Sequence, residues 1–159
     1  MSIEKAKAHL ALYQMEERVI EFAQSSATVA LAAEALGCEP KHIAKSLLFK
    51  QSFGTLMVLA AGDAKVDNRK FKDRFSEKPK MMPFELVEAS IGHAPGGVCP
   101  FGVNEDVEVW LDASLQRFDT VYPAAGSSNS ALPMTPEELY TVSRARGWVE
   151  VTKLPEEEA

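Results

Sequence analysis

The sequence has no apolar run long enough to cross a membrane: no stretch of about 18 or more uncharged apolar residues occurs among its 159 residues. Its first ten residues carry Glu4, Lys5, Lys7 and His9, where a secretory signal peptide would need a continuous apolar segment. These absences argue against an integral membrane protein built of helices. We expect a cytoplasmic protein without a membrane partner.

Cysteine and histidine are too scarce for a metal site or a disulfide framework. The two cysteines, Cys38 and Cys99, lie far apart and form no Cys-x-x-Cys motif, and the three histidines, His9, His42 and His93, are scattered along the chain. Structural zinc sites need several such ligands at close spacing. We therefore expect reduced thiols, no metal ion and no cofactor.

Several catalytic signatures are absent as well. The sequence contains no Gly-x-Ser-x-Gly elbow, no Walker phosphate loop, no dinucleotide-binding fingerprint and no His-Glu-x-x-His pair. The common serine hydrolases of the α/β type, P-loop nucleotide hydrolases, dinucleotide-dependent oxidoreductases and zinc proteases are therefore disfavoured.

A strong overall positive charge is also missing. The net charge of −6 argues against a protein that coats nucleic acid non-specifically, because such proteins carry a basic surface. However, residues 65–80 contain seven basic and three acidic residues. This run is either an ordinary solvated helix face or a local contact for nucleic acid. The residues expected to contact tRNA in the second case are Arg69, Lys70 and Lys72.

The spacing of apolar residues predicts helices and strands in irregular order. Helices are predicted over residues 3–13, 28–36, 40–44, 67–75 and 84–89 and from Thr135 onward. Strands are predicted over 19–22, 47–50, 55–61, 107–111, 120–122 and 148–151, the second and third as a hairpin. This mixture predicts an α+β fold with a mixed, largely antiparallel or barrel-like sheet flanked by helices. We expect one domain over residues 1–159, with a frayed tail from about residue 153.

A glycine-rich loop is the most informative segment for chemistry. Residues 92–102 include four glycines and two prolines, a composition typical of a loop. The adjacent Gly96 and Gly97 leave backbone N–H groups unshielded, so these groups can donate hydrogen bonds to an ester carbonyl or an oxyanion. Pro100 would stiffen the loop. An ordinary structural turn has the same composition, so the segment by itself leaves both interpretations open.

Three segments taken together carry a resemblance to a known family. They are Ile43-Ala44-Lys45-Ser46-Leu47-Leu48-Phe49, the Gly96-x-x-x-Pro100 loop, and Leu111-Asp112-Ala113-Ser114 leading into Val121-Tyr122-Pro123-Ala124-Ala125-Gly126. In this order and spacing, over residues 3–145, the chain resembles the YbaK and prolyl-tRNA-synthetase-associated family of aminoacyl-tRNA deacylases. The resemblance implies that family's fold and a free-standing, metal-independent hydrolase of mischarged tRNA. The implied substrate is tRNA(Pro) carrying Ala, Cys, Ser or Thr, and prolyl-tRNA synthetase is an expected partner.

The resemblance also implies roles for individual residues. In that family the lysine before the first long apolar strand is the residue most closely tied to activity, and the Gly-x-x-x-Pro loop shapes the pocket. Catalytic roles are therefore implied for Lys45, Gly96 and Gly97. The expected substrate-binding residues are Ser46, His93, Val98, Cys99, Pro100, Asp112, Gly126 and Ser127.

The chemistry fits these residue types. An aminoacyl ester is already activated, so a hydrolase needs chiefly to place water, stabilise a developing oxyanion and hold the terminal nucleotide. Lys45 offers a positive charge for the terminal phosphate or ribose region. Cys99 has no evident partner base, so we interpret it as a small pocket-lining residue rather than a nucleophile.

The chain departs from the cysteine-clearing branch of the family at residues 127–131. The segment Ser127-Ser128-Asn129-Ser130-Ala131 stands where that branch has a run resembling Lys-Arg-Gly-Leu-Asp. This difference argues against cysteine specificity and leaves an alanine-, serine- or threonine-directed enzyme, or another relative, open. Two other functions also stay open: a non-catalytic module that binds tRNA or a synthetase and regulates it, and a hydrolase of small acyl esters unrelated to tRNA.

Overall fold

The computed structural model describes residues 2–155, and several of its helices begin at a residue whose side chain caps the first turn. The Thr28 hydroxyl accepts a hydrogen bond from the Leu31 N–H, and Thr135 and Glu138 form a reciprocal capping box. The α-helices are α1 (Ser2–Ala11), α2 (Val29–Leu36), α3 (Asn68–Phe75), α4 (Val87–Ile91) and α5 (Pro136–Val142). Single 3₁₀ turns span Glu16–Arg18, Pro40–His42, Phe84–Leu86 and Ala113–Arg117. No helix among residues 2–155 is long and apolar enough to cross a membrane.

A five-stranded sheet forms the centre of the molecule. The strands are β1 (Ile20–Glu21), β2 (Ile43–Gln51), β3 (Gly54–Ala61), β4 (Lys65–Val66), β5 (Glu108–Asp112), β6 (Tyr122–Pro123), β7 (Ser130–Ala131), β8 (Trp148–Val149) and β9 (Thr152–Lys153). The central sheet has the order β6-β2-β3-β5-β8. Its longest pairing, β2 with β3, is antiparallel, whereas its three shorter pairings are parallel. Two small antiparallel sheets, β1-β7 and β4-β9, flank it.

Successive side chains of β3 point to opposite faces of the central sheet, so the core is divided into two clusters. Met57 and Leu59 pack into the larger cluster, which α1, α4 and α5 cover. Leu56 and Val58 pack into a second cluster around Phe71 of α3, whose ring is completely buried. Helix α3 therefore covers the face of the sheet opposite to α4.

The structure confirms the predicted α+β class, with a mixed sheet flanked by helices. The predicted hairpin is β2 and β3 with the register Lys45↔Ala60 and Gln51↔Gly54. Residues 40–44 do not form the predicted helix. Only Pro40–His42 form a single 3₁₀ turn. Strand β2 starts at Ile43, because Ile43 and Ala44 pair with β6. Lys45 consequently lies inside a strand rather than before it.

Regular structure extends to Lys153, about the residue at which the predicted frayed tail begins. Lys153 pairs with Lys65 in the β4-β9 sheet, so regular structure continues to that residue. The remainder of the predicted tail, residues 156–159, lies outside the described residues. The sequence did not predict the two-residue strands β4, β7 and β9, because they lie outside its apolar runs and show no periodicity of their own.

Asp112 lies in the core and binds residues 151 and 152 to the central sheet. Its side chain is almost fully buried and accepts three hydrogen bonds. The donors are the Val151 N–H at 2.9 Å, the Ser114 N–H at 3.0 Å and the Thr152 hydroxyl at 2.7 Å. A carboxylate with this many internal donors has a structural role, so Asp112 does not join the predicted substrate-binding residues.

We predict that Asp112→Ala lowers the free energy of unfolding by about 3 kcal/mol, because it leaves buried donors without an acceptor. Urea denaturation followed by circular dichroism measures the change. The control Asp106→Ala removes an exposed carboxylate and is expected to alter stability by less than about 0.5 kcal/mol. An Asp112→Ala protein as stable as the control would contradict the structural role.

Candidate active site

A cleft of about 280 Å³ lies beside β2, the loop before α2 and the glycine-rich loop. Most of its lining side chains are small or apolar, and Lys45 is the one charged residue among those lining it in the described part of the chain. The lining residues are Ser26, Ala27, Thr28, Val29, Ala32, Ile43, Ala44, Lys45, Ser46, Leu48, Val87, Pro95, Gly96, Val98, Tyr122, Ala124, Ser130 and Ala131.

The cleft follows a gap in the pairing of β2. On the side away from β3, β6 pairs only with Ile43 and Ala44. Pairing on that side resumes where the Leu48 carbonyl accepts a hydrogen bond from the Met82 N–H at 3.0 Å. Because backbone groups of alternate residues point to the same edge of a strand, Ser46 directs its N–H and C=O into the gap between these pairings. The gap gives the cleft one backbone donor and one backbone acceptor.

Lys45 is held by backbone carbonyls. Its ammonium donates to the Gly62 carbonyl at 3.3 Å and to the Ala64 carbonyl at 2.5 Å. The side chain is partly buried, and burial lowers the pKa of Lys45, while the charge of Asp63 raises it and that of Lys65 lowers it. The two carbonyls fix the position of the ammonium and leave one of its three N–H donors for a ligand.

Gly62 allows the turn that supplies these carbonyls to pack tightly. A Cβ atom at this position would lie 2.0 Å from the Pro40 carbonyl oxygen and 2.8 Å from a methyl group of Val29. Any side chain here would push the turn away from α2 and from the 3₁₀ turn Pro40–His42. The sequence contains one signal for this feature, a glycine directly after the apolar run of β3.

Gly96 and Gly97 have different roles in the structure. Gly96 is exposed at the cleft with φ of 92°, and its N–H donates no hydrogen bond within the described residues. The Gly97 N–H donates to the Ala94 carbonyl at 3.0 Å, so it is not free to bind an oxyanion as predicted. A Cβ atom on Gly97 would lie 2.7 Å from the Gly126 carbonyl oxygen. Gly97 therefore lets two loops pack closely, whereas Gly96 offers the free donor.

His93, Cys99 and Pro100 are buried beneath the loop rather than in the cleft. The Cys99 Sγ lies 3.5 Å from His93 Nε2, which is 2.6 Å from the Phe101 carbonyl oxygen. Burial raises the pKa of the Cys99 thiol to about 12 and lowers the pKa of His93. The pair is therefore a neutral thiol and a neutral imidazole. Of the predicted loop residues, only Gly96 and Val98 line the cleft.

Gly126 and Ser127 support the opposite wall. A Cβ atom on Gly126, whose φ is 99°, would lie 2.6 Å from the Ser2 carbonyl oxygen. The Ser127 hydroxyl is hydrogen-bonded to that of Ser130 at 2.6 Å, and Ser130 lines the cleft. Both predicted residues thus position the wall without lining it.

The basic residues of α3 do not line the cleft. Arg69 and Lys72 are exposed, but the Lys70 ammonium donates to the Thr152 carbonyl at 2.9 Å and lies 3.8 Å from the Glu150 carboxylate. They stand on the helix that covers the other sheet face. The sequence identified these residues as part of a basic run, but it could not indicate on which side of the sheet they lie.

The structure adds cleft residues that the sequence analysis missed. The side nearest α2 is formed by Ser26 to Val29 and Ala32, and Tyr122 and Ala131 complete the wall. None of these residue types marks a site, because small, hydroxylated and aliphatic side chains occur throughout ordinary loops and cores. Only the packing of α2 against β2 brings them together.

Comparisons with known proteins agree on one family. The family model for the aminoacyl-tRNA editing domain matches residues 23–142. "Uncharacterized protein YwhH" of Bacillus subtilis (strain 168) is 46% identical over 96% of this chain and 98% of its own length. "Putative Cys-tRNA(Pro)/Cys-tRNA(Cys) deacylase EbsC" of Enterococcus faecalis is 25% identical over 76% of this chain and 74% of its own. A crystal structure of "a putative trans-editing enzyme for prolyl tRNA synthetase" superposes with a TM-score of 0.86 at 27% identity, covering 96% of this chain and 97% of that one.

We predict that iodoacetamide at pH 8 modifies the partly exposed Cys38 and leaves Cys99 unmodified in the folded protein. With its pKa raised to about 12, Cys99 stays a neutral thiol at this pH, and its burial also excludes the reagent. Mass spectrometry of the digested protein measures both sites, and a urea-denatured sample serves as the positive control. Modification of native Cys99 at the rate of Cys38 would mean that its thiol is accessible and reactive.

Proposed function

This chain belongs to the aminoacyl-tRNA editing domain family, and we propose that it is a free-standing hydrolase that removes wrongly attached amino acids from tRNA. The observation that carries the proposal is the position of Lys45. The lysine implied by the family resemblance lines a cleft, where two carbonyls hold its ammonium. Gly96, with its free N–H, lines the same cleft.

In the proposed reaction, water attacks the ester carbonyl carbon and the bond to the ribose oxygen breaks. The water proton passes to that ribose oxygen, so the products are a free amino acid and an uncharged tRNA. The Gly96 N–H donates to the oxygen that becomes negative in the transition state. The remaining N–H of the Lys45 ammonium binds the ribose or the terminal phosphate. Ser46 contributes backbone groups that orient the aminoacyl part.

The lining of the cleft supports a substrate whose amino acid has a small, uncharged side chain. This lining consists mainly of small and aliphatic side chains and includes several hydroxyl groups, among them that of Ser130. Ser130 and Ala131 belong to the segment that departs from the cysteine-clearing branch, so this departure alters the wall of the cleft. We propose that alanine, serine or threonine is removed from tRNA(Pro), in the cytoplasm and beside prolyl-tRNA synthetase.

The proposed hydrolysis requires no metal ion. Within residues 2–155, no group of three or more His, Cys, Asp or Glu side chains is arranged to hold one. An activated ester can be cleaved by positioned water and hydrogen-bond donors alone. Full activity in the presence of EDTA is part of the proposal.

We predict that Lys45→Ala lowers the rate of deacylation of mischarged tRNA(Pro) on the order of a hundredfold, because it removes a positioned charge from the cleft. Deacylation of alanyl-, seryl-, threonyl- and cysteinyl-tRNA(Pro) by the purified protein measures the effect. Lys50→Ala is the matched control, since Lys50 is an exposed lysine on the same strand. Equal activities of Lys45→Ala and Lys50→Ala, at equal melting temperature, would remove Lys45 from the mechanism.

We also propose that α3 contacts the tRNA body through Arg69 and Lys72. These two side chains are exposed, whereas Lys70 is tied to the chain end. Each phosphate contact that is lost should reduce the slope of log affinity against log salt by roughly 0.7 to 0.9.

The double variant Arg69→Glu with Lys72→Glu is therefore expected to bind tRNA more weakly and with a smaller salt slope, while its hydrolysis of aminoacyl-adenosine is unchanged. Filter binding over a series of salt concentrations measures both quantities. Lys7→Glu on α1 with Arg146→Glu in the segment before β8 changes the net charge equally and serves as the control. If both double variants gave the same salt slope, α3 would be an ordinary solvated helix.

A further inference from the structure

We propose that Asp63 and Arg117 are positioning residues, whose ion pair fixes the turn of residues 62–64 and thereby the Lys45 ammonium. This inference rests on the proposed function, in which Lys45 binds the substrate. Neither residue lines the cleft, so both act through Lys45. The family resemblance assigned a role to neither.

The ion pair has the geometry of a fixed contact. The two terminal nitrogens of Arg117 donate to the two carboxylate oxygens of Asp63 at 2.6 and 3.2 Å. The side chains of Arg117 and Asp63 are 29% and 22% exposed. Bidentate pairs of this kind restrict orientation as well as distance, unlike single contacts between exposed side chains.

Arg117 is itself held in place by two further contacts. Its Nε donates to the Ser114 carbonyl at 2.8 Å, and its guanidinium lies 4.6 Å from the centre of the Phe118 ring. These contacts fix the guanidinium on the 3₁₀ turn Ala113–Arg117. The ion pair therefore connects that turn to residue 63, the central residue of the turn that binds Lys45.

A second connection from the same 3₁₀ turn reaches the start of the Lys45-binding turn. The Ser114 hydroxyl accepts a hydrogen bond from the Ala61 N–H at 3.0 Å, and the Ser114 N–H donates to the buried Asp112 carboxylate. The 3₁₀ turn Ala113–Arg117 thus holds both residue 61 and residue 63. The Gly62 and Ala64 carbonyls, which alternate with them, are left to bind the ammonium.

Asp63 also acts on Lys45 through its charge. Burial lowers the pKa of Lys45, the nearby Asp63 raises it and Lys65 lowers it. The guanidinium of Arg117, paired with Asp63, is a further charged group beside this turn. Without the negative charge of Asp63, the pKa of Lys45 should fall further, and the ammonium would lose its proton at a lower pH. An ion pair remote from the ammonium would have no such effect.

The experiment compares Asp63→Asn and Arg117→Gln with two matched controls. Arg18→Gln breaks a bidentate pair with Glu138 that lies away from the cleft, and Asp106→Asn removes an exposed carboxylate. Deacylation rates are measured across a range of pH. The pKa of Lys45 is measured directly by NMR of lysine labelled with ¹³C at Cε, which does not depend on activity.

We expect kcat to fall on the order of tenfold in Arg117→Gln, because the ammonium is displaced, and to stay unchanged in Arg18→Gln. In Asp63→Asn the alkaline limb of the rate profile should move to lower pH, together with a lower NMR pKa of Lys45. Asp106→Asn should show neither change. Unchanged kcat in Arg117→Gln, or an unchanged pKa of Lys45 in Asp63→Asn, would overturn the proposal.

Failure of the proposed function gives a different result. If the wild-type protein deacylated none of the mischarged tRNAs, the proposed function would be wrong. The pKa of Lys45 in Asp63→Asn would still decide whether Asp63 controls the ammonium.

Discussion

The site depends on one physical constraint: an ammonium group that is partly removed from water must have hydrogen-bond acceptors in place. Lys45 obtains them from the Gly62 and Ala64 carbonyls. The hairpin register places Lys45 opposite Ala60, two residues before the turn, so the side chain reaches these carbonyls. The absence of a side chain at Gly62 lets the turn pack against the Pro40 carbonyl and against Val29 of α2, which lines the cleft.

The incomplete pairing of β2 gives the site its second property. A strand that ended its pairing on one side altogether would present an open edge and a risk of aggregation. Here β6 pairs with the start of β2 and the segment at Met82 pairs further along, so the free edge is limited to the region of Ser46. The loop that carries Gly96 and the strand β7 that carries Ser130 line this region. The free backbone groups are thereby enclosed in a cleft of small side chains.

The sequence predicted the α+β class and the hairpin because both depend on local periodicity and turn residues. Through the family resemblance it also selected Lys45 and Gly96, and the structure places both at one cleft. It could not separate Gly96 from Gly97, since the hydrogen bond to Ala94 depends on loop conformation. Nor could it reveal the acceptors of Lys45, because any residue has a carbonyl. The Asp63–Arg117 pair joins residues 54 positions apart, and only tertiary structure brings them together.

The most direct test of the site is a crystal structure of the protein with adenosine that carries alanine through a non-hydrolysable 3′-amide. The account predicts that the alanyl group occupies the cleft, that its carbonyl oxygen accepts a hydrogen bond from the Gly96 N–H, and that the Lys45 ammonium contacts the ligand while it stays bound to the Gly62 and Ala64 carbonyls. A ligand bound elsewhere, or one that reaches the cleft without contact to Lys45, would contradict it.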